Sequence, residues 1–409
     1  MLMKNSGLKS NQHVATCPAC GLLCDDILVE SNQNKIKVLA KGCAKSVTFF
    51  EHPINATSPK IAGKSVSLEA AVTHAAGLLK LAKQPLFTGL STDIAGFRSL
   101  FNLAQKTDGN LQHMNATSMA RNLAVLQSTG WQTTTLTELK NRADVILCIG
   151  SDIVTHNPRF FERFVWLEND KSNAMFTDAA SREIIYIGEN LNTEAGISPK
   201  GARTLSLVCS ASDLPEITIV LRALVAGKNI KAESVAGLKV RDLQTVADKL
   251  KRAKYAVLAW IAKDLDFPHA ELTIQNITET VSILNQTTRA AGLPLGGSDG
   301  DSSTNNAHTW LSGLALNNAH VEHDCMVWVN SFSAEKQPPQ TNKPLIAFGN
   351  TDSKFATEPD VFIPIASPGM DSNGTLFRVD SSVILPLKKL RENDLPTLNE
   401  VVNRIEGLL

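Results

Sequence analysis

Asp144-Val-Ile-Leu-Cys-Ile-Gly150 places five consecutive apolar residues between a charged residue and a glycine. So short and so apolar a run suits a strand buried on both faces, which is the mark of a parallel sheet covered by helices. The pattern recurs. Pro85–Leu90, Glu183–Gly188, Thr204–Val208, Tyr255–Ile261, Cys325–Val329, Leu345–Gly349 and Asp360–Ile365 are further strand candidates. Helical patterns separate them. Leu68 to Lys83 carries Leu68, Val72, Ala75, Leu79 and Ala82 at helical spacing behind Ser67 as N-cap. Thr92–Lys106, Ala116–Thr129 and Ala270–Gln286 also read as helices, and Asp213 with Glu216 reads as a capping box opening a helix that ends near Gly227. Strands alternating with helices specify an α/β chain with doubly wound, mostly parallel sheets in two units.

At roughly 150 residues per domain, 409 residues divide into two or three. The expected boundaries are 1–65, 66–240 and 241–409. Residues 53–65 are rich in Pro, Ser, Thr and Gly and read as a linker, and Gly292 to Asn318 reads as a long loop. Before the linker lies a small Cys-bearing β module, in which Asp26–Glu30 and Lys35–Leu39 form a hairpin across Ser31-Asn-Gln-Asn34.

Forty Lys and Arg balance forty Asp and Glu. That excludes a generally basic nucleic-acid binder. No stretch approaches the ~18 apolar residues of a membrane span, and the first residues lack the apolar core of a signal peptide. The expectation is a cytoplasmic protein with neither nucleic acid nor membrane as partner.

Four of the seven cysteines fall within 27 residues, spaced Cys17-x2-Cys20-x3-Cys24-x18-Cys43. In a reducing compartment such a group is a metal site before it is a disulfide framework. Three close thiolates and a distant fourth suit the corners of a [4Fe–4S] cube, and Gly21 gives the short loop its freedom. Zinc prefers two CxxC-like pairs, and here there is one. The alternatives are zinc or an empty module. Cys148, Cys209 and Cys325 lie in apolar runs and read as small buried hydrophobes.

Ligands of α/β folds bind beyond the carboxyl ends of strands. After Ile149-Gly150 come Ser151, Asp152 and then His156-Asn-Pro-Arg159. Ser151, Asp152 and Arg159 could hold phosphates or a pterin. Equally, Ser151 or Asp152 could cap the next helix and Arg159 could be a surface residue. Gly296-Gly-Ser-Asp-Gly-Asp301 matches no phosphate-binding pattern and reads as a plain loop. Pro368 to Thr375 reads as a turn feeding a strand that carries Arg378. No HExxH and no G-x-S-x-G occurs, so no catalytic residue is assigned.

Cys17-Pro-Ala-Cys-Gly-Leu-Leu-Cys-Asp-Asp-Ile27 resembles the N-terminal cluster motif of the formylmethanofuran dehydrogenase B subunits, a molybdopterin oxidoreductase-like family. Leu139-Lys-Asn-Arg-Ala-Asp144 with His156-Asn-Pro-Arg159, Thr309-Trp-Leu-Ser-Gly313, Asp360-Val-Phe-Ile-Pro364, Gly369 and Asn373-Gly-Thr-Leu-Phe-Arg-Val-Asp380 are similar to later family segments in the same order. The resemblance spans residue 17 to about 390. It implies domains like those of formate dehydrogenase and DMSO reductase. It also implies a quartet of Cys17, Cys20, Cys24 and Cys43 holding a [4Fe–4S] cluster, and a pterin cleft at Ser151, Asp152, Arg159 and Arg378.

In the archaeal members a cysteine ligates tungsten or molybdenum. Here no cysteine lies between Cys43 and Cys148, and the matching segment reads Asn115-Ala-Thr-Ser-Met-Ala-Arg-Asn122. Ser118 or Met119 at that place is a poor substitute for a thiolate. The Arg- and Pro-rich stretch that follows Thr309–Gly313 in the family is also missing, since Leu314–His320 runs soon into a strand. These departures resemble the B subunits of bacterial formyltransferase/hydrolase complexes of methylotrophic one-carbon metabolism. The implication is a non-catalytic scaffold partnered by A, C and D subunits, with a vestigial cleft and no tungsten or molybdenum pterin. The alternatives are a redox-active tungsten or molybdenum subunit, and a module binding another ligand in the cleft.

Overall fold

The computed structural model describes residues 9–167, 175–316 and 321–409. The chain divides into two compact units, Met1–Ala116 with Gly297–Leu409, and Thr117–Gly296. The boundaries expected at 65/66 and 240/241 follow chain order, whereas this division is interleaved. Its cause is strand pairing at long range. Pro85–Ser91 lies in parallel register with Cys325–Asn330, and no local pattern encodes that partnership.

The first unit holds a seven-stranded sheet in the order Lys64–Ser65, Lys60–Ile61, Val361–Pro364, Leu345–Gly349, Cys325–Asn330, Pro85–Ser91, Asn110–His113. The last five strands are parallel. In chain order they run 2-1-3-4-5, so the order reverses between Pro85–Ser91 and Cys325–Asn330. Helices Leu68–Leu81, Ile94–Lys106 and Leu398–Glu406 pack together on this unit. Ser67 caps the first of them by accepting from Ala70 N at 3.2 Å, as its sequence predicts.

The small β module belongs to the same unit. Its hairpin, Ile27–Asn32 with Lys35–Ala40, is joined by a third strand, Gln12–Ala15, for which the sequence carries no clear signal. Ile27 and Val29 face inward and are fully buried, while alternate residues face out.

The second unit is built on a five-stranded, wholly parallel sheet in the order Leu205–Leu207, Glu183–Ile187, Val145–Ile149, Ala256–Trp260, Ala290–Pro294. In chain order this is 3-2-1-4-5, and the order reverses between Val145–Ile149 and Ala256–Trp260. Both of those strands are buried along their whole length, which is why they read as unbroken apolar runs. Helices Leu214–Val225, Val240–Arg252 and Ala270–Leu284 present Leu221, Leu243 and Ile277 to its core. Each such side chain contributes roughly 1.5–3 kcal/mol on burial.

Four expectations are corrected. The loop placed at Gly292–Asn318 is instead the strand Ala290–Pro294, a tight turn, and the helix Asp301–Ser312. Its last two positions lie outside the described residues, as does part of the Leu314–His320 segment. The linker at 53–65 ends in a hairpin, Lys60–Ile61 with Lys64–Ser65, turned by Ala62 and Gly63 at φ 46° and 76°. The capping box before Leu214–Val225 is formed by Ser210 and Asp213 in the preceding turn, not by Asp213 and Glu216. Helices Val240–Arg252 and Leu398–Glu406 were not anticipated. No helix among the described residues is long and apolar enough to cross a membrane.

Candidate functional site

Three places carry the polar chemistry: the cysteine loop and the two crevices where strand order reverses.

In the cysteine loop, Cys17 N donates to Cys24 O at 2.9 Å and Leu23 N to Cys20 O at 3.2 Å, with Leu23 at φ 45°. The loop is pinned at its middle. Gly21 N donates to Gly297 O at 2.8 Å, and Val379 N donates to Gly21 O at 2.9 Å. A Cβ on Gly297, which has φ 74°, would stand 3.0 Å from Gly21 Cα, so this close approach favours glycine at Gly297. Cys17, Cys20 and Cys24 are buried, and Cys43 is half-buried at the start of Ala44–Phe50. Burial raises the Cys17 pKa well above the usual thiol value, and Cys24, Cys20 and Cys43 each raise it further, so all four thiols lie within electrostatic reach. Such a set is unfavourable as thiolates without a cation and favourable with one. Among the described residues no three His, Cys, Asp or Glu side chains stand together closely enough to hold a single metal ion. The donors are chemically right for a metal.

In the five-stranded sheet the reversal point is closed by its own side chains. Ser151 is fully buried. Its hydroxyl donates to Ile149 O at 3.1 Å and accepts from Ile261 N at 2.8 Å, joining the ends of the two central strands. Asp152 caps Ile153–His156, accepting from Val154 N and from the Thr155 hydroxyl. Arg159 makes a two-pronged pair with Glu162 at 3.0 and 2.7 Å. Two contacts here had no signal in the sequence. His156 Nε2 lies 2.6 Å from Asp264 Oδ1, and Asn157 exchanges two 2.9 Å bonds with the Gly296 backbone. Ser151, Asp152 and Arg159 thus follow one strand end, each engaged within its own unit. Arg378 belongs to the other unit, where Asp380 holds it at 2.9 and 2.7 Å.

The reversal point of the seven-stranded sheet was not anticipated. Ser331 N donates to Ser91 O at 2.7 Å, yet the buried hydroxyls of Ser91, Thr92 and Ser331 have no hydrogen-bond partner among the described residues. Asp93 beside them caps Ile94–Lys106, and burial raises its pKa against the opposing pull of Gly96 and Ala95 N–H. The Gly296–Asp301 segment, expected to be a plain loop, is fixed from Gly297 onward by a polar network in this unit. His113 Nε2 donates to Asp299 O at 3.2 Å while His113 Nδ1 accepts from Asn115 N at 3.0 Å. Asn115 reaches the Ser298 hydroxyl and Asp301, each at 3.2 Å. Lys336 pairs with Asp299. Burial alone would raise the Asp299 pKa, but the charge and hydrogen bond of Lys336 hold it below the usual range. Burial lowers that of His113, keeping the ring neutral. The rule that points to Ser151 also points to Ser91 and Thr92 after Pro85–Leu90. Ser331, Asp299 and Lys336 carried no such signal, because only the fold brings them there.

The remaining cysteines behave as expected. Burial pushes Cys209 and Cys325 up to about 11 and 12 and Cys148 higher still, leaving all three as inert thiols.

No family model matches the chain. Among curated proteins it is 26% identical over 430 residues to the B subunit of tungsten-containing formylmethanofuran dehydrogenase 2 of Methanococcus maripaludis, covering 96% of this chain and 94% of that protein. It is 24% identical over 349 residues to the B subunit of the formyltransferase/hydrolase complex Fhc of Methylorubrum extorquens, covering 79% and 89%. Among solved structures, a chain of the Methylorubrum extorquens complex FhcABCD, crystallised with methylofuran, superposes with a TM-score of 0.70 at 21% identity, covering 86% of this chain and 98% of that one. Acetylene hydratase from Pelobacter acetylenicus superposes with a TM-score of 0.66 at 11% identity, covering 98% and 69%, which extends the shared fold to nearly the whole chain. The chain is therefore a homologue of the B subunits of formylmethanofuran dehydrogenase and of the Fhc complex.

Proposed function

We propose that the chain is a non-catalytic B subunit of a formyltransferase/hydrolase-type complex, working with A, C and D subunits in the conversion of a carrier-bound formyl group to formate. The observation that carries this is a missing ligand. No cysteine lies between Cys43 and Cys148, and the segment that supplies the metal thiolate in the resembling dehydrogenases has Ser118 and Met119 in the first turn of Ala116–Ser128. Neither a neutral hydroxyl nor a thioether replaces a thiolate on tungsten or molybdenum. A second feature agrees. Arg159 and Arg378, the cations expected to meet an anionic cofactor, are each matched by a carboxylate of the same chain.

On this reading the cysteine quartet is retained for folding. A segment of about 30 residues buries too little to stand alone, and a metal staples it. The donors favour a [4Fe–4S] cluster over zinc. One zinc would draw four sulfurs to about 2.3 Å from a single point, whereas a cluster takes them at separate corners, which suits three close cysteines and a distant fourth along the chain. When bound, the cluster would supply positive charge to thiolates that are otherwise disfavoured by burial.

The test is metal content after anaerobic purification, with the complex reconstituted with and without the chain. Iron at about four per chain, no tungsten or molybdenum, and loss of formate production when the chain is omitted are expected. Tungsten or molybdenum near one per chain would overturn the scaffold reading and favour the alternative that the intact quartet keeps open, a redox-active subunit with a non-cysteine ligand. Full activity without the chain would remove the scaffold role. One zinc per chain would overturn the cluster alone.

A further inference from the structure

The amino ends of the five-stranded sheet form a second surface, opposite the crevice at its carboxyl ends. Three neighbouring strands deliver cations to it. Helix Leu136–Arg142 brings Lys140 and Arg142 to the start of Val145–Ile149. Helix Val240–Arg252 brings Arg252 and then Lys254 to the start of Ala256–Trp260, and Arg289 opens Ala290–Pro294. Arg252, Lys254 and Arg289 are exposed and carry no ion pair among the described residues. The acid in their midst, Asp144, accepts from Lys254 N at 2.8 Å and Tyr255 N at 2.9 Å, and its single charge offsets only one of the three cations. In a chain whose formal net charge is zero, this is a local excess among the described residues.

An apolar centre lies beside it. Phe176 and Met175 are 57% and 71% exposed. They are tied to the same edge by Phe176 N donating to Asn141 O at 3.1 Å. The Arg142 guanidinium sits 4.0 Å from the Phe176 ring centroid, and Glu138 pairs with it at 2.5 Å. The ring is therefore presented in a fixed orientation rather than folded away.

We infer that the amino edge of this sheet, which bears Phe176 on one part and Arg252, Lys254 and Arg289 along the next strands, docks a partner subunit whose facing surface is an apolar pocket flanked by carboxylates. The inference rests on the reading of the chain as a complex subunit. Nucleic acid is disfavoured because Glu138, Asp144 and Glu183 lie along the same edge and break the continuous basic track that a phosphate backbone follows.

The experiment co-expresses the full chain with A-, C- and D-type subunits and measures affinity across a salt series. Arg252→Glu/Lys254→Glu/Arg289→Glu is expected to weaken assembly at least 10-fold and to flatten its salt dependence, and Phe176→Ala about 10-fold. Thermal melting checks that each variant folds. Lys254→Glu alone, on an exposed side chain, serves if the triple variant does not, with a smaller loss of the same sign. Wild-type assembly that the charge reversal and Phe176→Ala leave unchanged would overturn the docking surface while the subunit reading stands. A wild-type chain that assembles with none of these subunits would overturn the subunit reading and the partner with it. Nucleic acid carried by the wild-type chain and lost from the triple variant would overturn the inference in favour of a nucleic-acid surface.

Discussion

The two sheets reverse the order of their parallel strands in the same manner and finish the resulting crevice differently. In the five-stranded sheet Ser151 joins both central strands with its own hydroxyl, and Asn157 seals the Gly296 backbone. In the seven-stranded sheet Ser91, Thr92 and Ser331 bring three buried hydroxyls to the equivalent place, and none finds a partner among the described residues. One crevice ties its strand ends together with its own side chains, and the other does not. Topology creates such crevices wherever a parallel sheet reverses. Which of them stays open to chemistry is decided by a few side chains at the strand ends.

The largest expected effect tests how rigidly each crevice is framed. Gly89 has φ 77°, and a Cβ there would stand 2.5 Å from Val329 O, a backbone atom. Gly150 has φ 59°, but its Cβ would meet the Leu214 side chain at 2.4 Å, which can turn aside. Gly89→Ala should lose about 3 kcal/mol or more in urea unfolding and Gly150→Ala about 1–2 kcal/mol. The reverse ranking would show that the first frame yields more easily than the second.

Serine substitutions address the difference itself. Ser151→Ala leaves Ile261 N–H buried and unpaired and should cost about 1–3 kcal/mol. Ser91→Ala and Ser331→Ala remove hydroxyls that bond nothing and should fall within about 0.5 kcal/mol of wild type or be slightly stabilising. Equal losses at all three positions would mean that the seven-stranded sheet's crevice is satisfied as fully as the other.

A pH series separates the crevices next. His113 accepts Asn115 N–H on Nδ1, which requires a neutral ring, and burial lowers its pKa. Below the unfolded value of about 6.5 the unfolded chain takes up a proton that the native chain refuses, so stability falls as pH drops toward the lowered native pKa. The slope contributed is at most about 1.4 kcal/mol per pH unit. His113→Gln should flatten it, and an unchanged slope would assign the acid sensitivity elsewhere.

The smallest effect belongs to Asp93. Burial raises its pKa, so the native state binds the proton more tightly and loses stability as pH rises from the unfolded to the native pKa. Asp93→Asn keeps an equally good N-cap and removes the buried charge. It should change stability at neutral pH by no more than about 0.5 kcal/mol, with that pH dependence gone. A loss above about 1 kcal/mol would show that the carboxylate does more than cap.

Much of the fold was legible because its strands are buried on both faces. Val145–Ile149 and Leu345–Gly349 are apolar throughout, and that pattern has few other readings. Helix Asp301–Ser312 was not legible. Its sequence is mostly Ser, Thr, Asn and Asp, and it is held by burial of Ser303, Thr304 and Ala307, with the Thr304 hydroxyl donating to Leu90 O at 3.1 Å. Tertiary contact overrode local preference there. The candidate site divides along the same line. Ser151 and Asp152 could be found because they follow an obvious strand, and helix capping by Asp152 was one of the two readings left open, but that the Ser151 hydroxyl ties Ile261 N could not.

The sequence by itself determined the α/β class, the hairpin module with its four clustered cysteines, and the missing thiolate between Cys43 and Cys148, because these are matters of local periodicity, spacing and composition. The tertiary structure alone decided that Pro85–Ser91 pairs with Cys325–Asn330, far away in the chain, that Gly21 is held between Gly297 and Val379, and that Lys336, Asp299 and His113 share one network. Such contacts join residues distant in sequence, and their partners are chosen by the burial and hydrogen bonding of the whole unit rather than by any neighbour along the chain.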